Sequence, residues 1–163
     1  MEMTMTMRIE PTSADVRLML HTCGLSQTDA ADFLGVDARI VRRWNSGYFS
    51  IPPEQWQKLE NLGAQQDRAA REAIEEMEGR YTDYDHVKIP VHLTRTDEDA
   101  RKLGYPCAGA HLAVVRRVAE LAAMKGLRIV PVHPDLDARD AEAEATRRVV
   151  EWFETPLSSL VSR

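Results

Sequence analysis

The chain has 163 residues, 44% of them hydrophobic, with 21 basic against 26 acidic side chains and a formal net charge of −5. That length suits one medium domain or two small ones with a packed core, and the acidic balance argues against a protein that coats nucleic acid indiscriminately. Two cysteines, Cys23 and Cys107, are too few to staple such a chain and read as buried or idle thiols in a reducing compartment.

The opening MEMTMTMRIE lacks the basic start and apolar core of a signal peptide, and no apolar run approaches membrane-spanning length. A cytoplasmic protein with no membrane partner is expected, residues 1–11 forming a flexible N-terminal arm. Pro11 to Cys23 reads as the first helix. Ser13 is its expected cap, Asp15 suits the positive end of the first turn, and Val16, Met19, Leu20 and Cys23 recur at helical spacing before Gly24 ends it.

Leu25 to Gly47, LSQTDAADFLGVDARIVRRWNSG, contains two short helices. Ser26 can cap the first, Gln27 to Leu34, and Asp37 the second, Ala38 to Asn45. Between them Gly35 supplies a residue tolerant of positive φ, while Ala31 offers only a methyl where the helices must cross. Leu34, Val36, Val41 and Trp44 can face inward together, which leaves Arg39, Arg42 and Arg43 on the opposite side of the second helix. The alternative is an amphipathic hairpin with a solvated arginine face. From Ala38 through Pro53 there are three arginines and no carboxylate, a local cationic patch on an otherwise acidic body. Such a body repels phosphate except in one orientation, which suits selective docking.

At these residues the chain resembles a known family. Gln27, Ala31, Leu34, Gly35, Val36, Val41, Trp44 and Gly47 look like the Xre/Cro-type helix-turn-helix signature. ARIVRRWNSG, followed by Ile51-Pro52 and a helix, is similar to the anti-CRISPR-associated (Aca) autorepressors and related bacterial proteins. The likeness touches residues 12 to 132 and is carried mainly by those up to Leu62. It implies a DNA-binding domain joined to a C-terminal dimerisation domain, an autorepressor role and a phage or mobile-element setting. In the helix-turn-helix docking mode the second helix enters the major groove. Arg39 and Arg43 are then expected to read bases, with Ala38 on the margin of their face, while Arg42 and Gln27 hold phosphates; all of them lying on phosphate is the alternative. The hydroxyls of Ser46, Tyr48 and Ser50 are further phosphate-contact candidates, or ordinary loop groups.

After this unit, Pro53 to about Glu78 reads as a helix that frays or kinks near Gly63, with Trp56, Leu59 and Leu62 inward and then Ala70, Ile74 and Met77 on one side. Residues 64–80 are expected to be a helical linker, or a solvated one. Tyr81 to His86 is polar, and HVKIPVHL alternates like a strand that Pro90 pushes toward an edge. Thr96 to Gly104 reads as a short helix. Ala110 to Lys125 is a longer one, with Leu112, Val115, Ala119 and Ala122 as its stripe and Val114, Val118 and Leu121 widening it. LRIVPV follows as a strand, and Asp137 to Phe153 as a last helix before Pro156.

The competing class, an enzyme or metal site, finds little support. His86, His92, His111 and His133 match no zinc spacing, no Gly-x-Ser-x-Gly elbow occurs, and Gly104 to Gly109 lacks phosphate-loop spacing. His111 is assigned a capping or core role in preference to anion binding. No catalytic residue, metal or cofactor is therefore expected. The fold class expected is mainly α (α+β): a four- or five-helix helix-turn-helix domain over 12–63, the linker over 64–80, and a small α+β dimerisation domain over 81–163. Its expected partners are double-stranded DNA at an inverted repeat and a second copy of the chain. An antitoxin that sequesters a protein, a ligand-sensing regulator and RNA binding remain open.

Overall fold

The computed structural model describes residues 10–80 and 88–132. The N-terminal arm, the polar segment before His86 and the helix expected over 137–153 lie outside these residues. The fold is mainly α. Its elements run α1 (Ser13–Cys23), α2 (Gln27–Leu34), α3 (Ala38–Asn45), α4 (Pro53–Arg80), β1 (Lys88–His92), α5 (Asp97–Lys102), α6 (Ala108–Met124) and β2 (Arg128–Val132).

The first three helices start on side-chain caps. The cap of α1 is Thr12 and not Ser13: its hydroxyl accepts from the Asp15 N–H at 3.3 Å, and the Asp15 carboxylate accepts from the Thr12 N–H at 2.7 Å. A reciprocal box needs an acid three residues on, and three beyond Ser13 stands Val16, which is buried. Ser26 and Asp29 form the same box on α2, and Asp37 accepts from the Arg39 N–H at 2.6 Å to start α3. Gly24 and Gly35 end α1 and α2 at φ of 70° and 69°.

α4 runs unbroken through the point where a fray or kink at Gly63 was anticipated, and it extends to Arg80. Gly63 stays helical because α1 lies beside it: a methyl there would rest at ordinary contact distance from the Cys23 and Met19 sulfurs. Its second half is no solvated linker. Gln66, Ala69, Ala70, Ala73, Ile74 and Met77 are all buried. α4 packs along α6, the most extensive helix pair among the described residues.

α6 begins two residues earlier than its sequence suggests, because the Ala108 N–H donates to the Asp97 carboxylate of α5 at 2.9 Å, a cap brought from eleven residues away. Its buried arc is Ala110, His111, Ala113, Val114, Val115, Val118 and Ala122. Leu112, expected inward, is 53% exposed. His111 takes an inward position instead, the core role that the sequence allows it.

β1 and β2 pair in parallel, Lys88 opposite Arg128 through to His92 opposite Val132. α5 and α6 form the crossover that parallel strands require. The head, α1 to α3 with the first half of α4, and the tail, the second half of α4 with β1, α5, α6 and β2, share one hydrophobic cluster running from Val16 to Leu127. The joint between them is tight: the buried Gln66 amide donates 3.0 Å bonds to the carbonyls of Cys23, at the end of α1, and Ala110, in the first turn of α6. Beside it Gly24 and Gly109 meet backbone to backbone, so closely that a Cβ on either would overlap the other's carbonyl. Arg117 on α6 reaches Asp67 on α4 at 2.6 Å, and Lys125 reaches Glu78 at 2.6 Å.

Candidate nucleic-acid interface

α3 has a buried back and a charged front. Val41 and Trp44 are sealed in the core, Ile40 and Ala38 lie partly buried at the margins, and Arg39, Arg42 and Arg43 are all exposed. Ala30 and Ala31 of α2 are fully covered where the two helices meet, as a close crossing demands. No carboxylate side chain belongs to α3 itself. The nearest in sequence, Asp37, is occupied by its capping bond to Arg39 N–H.

The turn after α3 is folded back onto it. Gly47 adopts φ 78°, and the Arg43 carbonyl then accepts from the Tyr48 N–H at 2.9 Å and the Ser46 hydroxyl at 3.2 Å. The consequence is aromatic. Tyr48 and Phe49 stand edge to face with centroids 5.0 Å apart, and the Arg43 guanidinium carbon lies 5.9 Å and 5.4 Å from the two rings. Both rings remain open to solvent, 73% for Tyr48 and 48% for Phe49.

The structure thus brings Ala38, Arg39, Arg42, Arg43, Ser46, Tyr48 and Ser50 onto α3 and its following turn, with Ser50 exposed beyond the rings. Gln27 sits apart as the first, half-buried residue of α2. The Ser46 hydroxyl is turned toward the end of its own helix. Two residues were missed. Phe49 carries no hydroxyl or charge, so only its adjacency to the arginine run could have marked it. Arg17 on α1 donates to the Asn45 carbonyl at 3.3 Å across 28 residues of sequence, a pairing no local pattern reveals.

No protein-family model matches the sequence. Over 57 residues the chain is 40% identical to the transcriptional repressor protein KorC of Escherichia coli, a stretch that makes up 33% of this chain and 67% of that protein. The chain belongs to the family of KorC. The likeness to KorC is confined to a third of the chain, and it identifies the family without assigning roles to single residues.

Elsewhere in this KorC relative three titratable groups, His111, Cys23 and Cys107, are buried. His111 is buried against the Tyr105 ring at 4.9 Å, the Thr94 N–H donates to its Nδ1 at 3.4 Å, and the Thr94 hydroxyl lies 3.0 Å from the same nitrogen. Burial, aided by His92, pushes the His111 pKa down to about 4. Burial likewise pushes the Cys23 thiol up to about 11 and raises that of Cys107, which leaves both as inert thiols. Among the described residues no group of three or more His, Cys, Asp or Glu is placed to hold a metal ion, and no helix is long and apolar enough to cross a membrane.

Proposed function

We propose that this protein is a transcriptional repressor that binds double-stranded DNA in a sequence-specific manner, as a homodimer on an inverted repeat, and that it controls its own operon from within the cytoplasm. One observation carries the reading: three arginines stand exposed on a single helix whose opposite stripe, Val41 and Trp44, is locked into the core. Membership of the KorC family supports repression as the outcome, and the likeness of Gln27 through Gly47 to the Xre/Cro signature supports the major groove as the docking place. In this reading Arg39 and Arg43 meet base edges, where a guanidinium fork matches the two acceptors of guanine, and Arg42 and Gln27 hold phosphates. Ala38 lets the helix end approach the groove floor, and the hydroxyls of Tyr48 and Ser50 lie beside the backbone. Repression then follows from occupancy of the operator, and no catalytic step or cofactor takes part. The residues from β1 onward hold the dimer.

Selection of bound duplexes from a random pool by the full-length chain tests this directly. Enrichment of a two-fold symmetric motif is the expected result, and Arg43→Ala should weaken it by roughly 1–3 kcal/mol while relaxing one base position. A pool that shows no enrichment would sink the reading.

A further inference from the structure

The exposed aromatic pair after α3 has no part in the core. Both rings are turned toward one cation, the guanidinium of Arg43. We infer that Phe49, with Tyr48, is a positioning residue that fixes the guanidinium of Arg43 for base reading. The inference rests on the duplex-binding reading above and adds a specificity determinant to it.

The physical case is one of preorganisation. An arginine on a solvated helix face loses several freely rotating torsions when it engages a base, and that ordering opposes binding. A guanidinium already attracted to ring faces loses less. The turn is built to present those rings: Gly47 at φ 78° reverses the chain, and the single carbonyl of Arg43 accepts from Ser46, Tyr48 and, at 3.4 Å, Phe49. The backbone of Arg43 thereby anchors the very loop whose rings flank its side chain, at 5.4 Å for Phe49 and 5.9 Å for Tyr48. Arg39 and Arg42 have no such flanking rings among the described residues. The three arginines are thus not equivalent, and Arg43 is the one held in place before any partner arrives.

Binding of full-length wild type, Phe49→Leu, Phe49→Trp, Arg43→Ala and the Arg43→Ala/Phe49→Leu double variant is measured on the selected duplex and on its single-base variants. Phe49→Leu keeps an apolar side chain but removes the ring. It should weaken the selected duplex about tenfold and flatten discrimination at one base pair only, the pair that Arg43→Ala also flattens. Phe49→Trp should restore discrimination, and Phe49→Leu should have no further effect once Arg43 is alanine. In the DNA-free protein, the Arg43 side-chain N–H resonance should lose its ring-current shift in Phe49→Leu. Equal weakening on every duplex, or additive effects in the double variant, would overturn the inference while leaving the duplex-binding reading intact. Wild type that prefers no duplex would overturn both.

Discussion

His111 shows how one buried residue can contribute to the pH response of a fold. In the folded protein burial keeps its ring neutral down to about pH 4, whereas in the unfolded chain it accepts a proton near its ordinary value of 6.5. Between those values the unfolded state binds more protons, so stability is complete above about pH 6.5 and is lost as the pH falls toward 4. The expected loss is roughly 2 kcal/mol between pH 7 and pH 5, read as a fall in the urea midpoint. His111→Gln should reduce that fall, and an equal fall in both proteins would clear His111 of the effect. Asp15 and Asp99 act in the same direction at lower pH, because the Thr12 and Thr96 hydroxyls hold their carboxyls below the ordinary carboxylate range. They lose that advantage only as the pH drops through those depressed values.

At the scale of elements, two glycines separate helix propensity from packing. Gly63 lies inside α4, and a Cβ there would meet only the sulfurs of Cys23 and Met19 at 3.7 and 3.9 Å. Gly63→Ala should therefore stabilise the protein by about 0.5–1 kcal/mol, by restricting the unfolded chain and favouring the helix. Gly24 is the opposite case: its φ of 70° strains any other residue, and a methyl would drive into the Gly109 carbonyl of α6. Gly24→Ala should destabilise by about 3 kcal/mol or more. Thermal unfolding of the two variants checks both signs, at about 2–4 °C per kcal/mol for a chain of this size. The same pair marks what sequence could reveal. The bodies of α1, α2 and α3 were legible because caps, glycine stops and apolar spacing are local, and these fix where Arg39, Arg42 and Arg43 point. The unbroken α4, the cap that Asp97 lends to Ala108 and the exposure of Leu112 depend on elements outside their own helix. The ring pair around Arg43 is local in sequence but rests on the turn folding back at Gly47, which spacing alone does not reveal.

For the whole molecule, a two-fold symmetric operator requires two heads, and a single head of this size would contact one half-site only. The full chain should sediment as a species of twice 18.5 kDa at micromolar concentration, and a monomer persisting well above that range would count against the proposed assembly. A separated tail is the wrong sample for this measurement, because head and tail share one core along α4. That shared helix also limits how the protein can be governed. At 28 residues it is about 42 Å long, its near half serving one end of the molecule and its far half the other, with the Gln66 amide riveting its middle to both sides. A swivelling wrist between reader and grip is therefore closed to this design. In the proposed dimer any signal that releases the operator would have to loosen the grip or unseat the beam itself, and insertion of a few base pairs between half-sites should be met by refusal and not by bending of the protein.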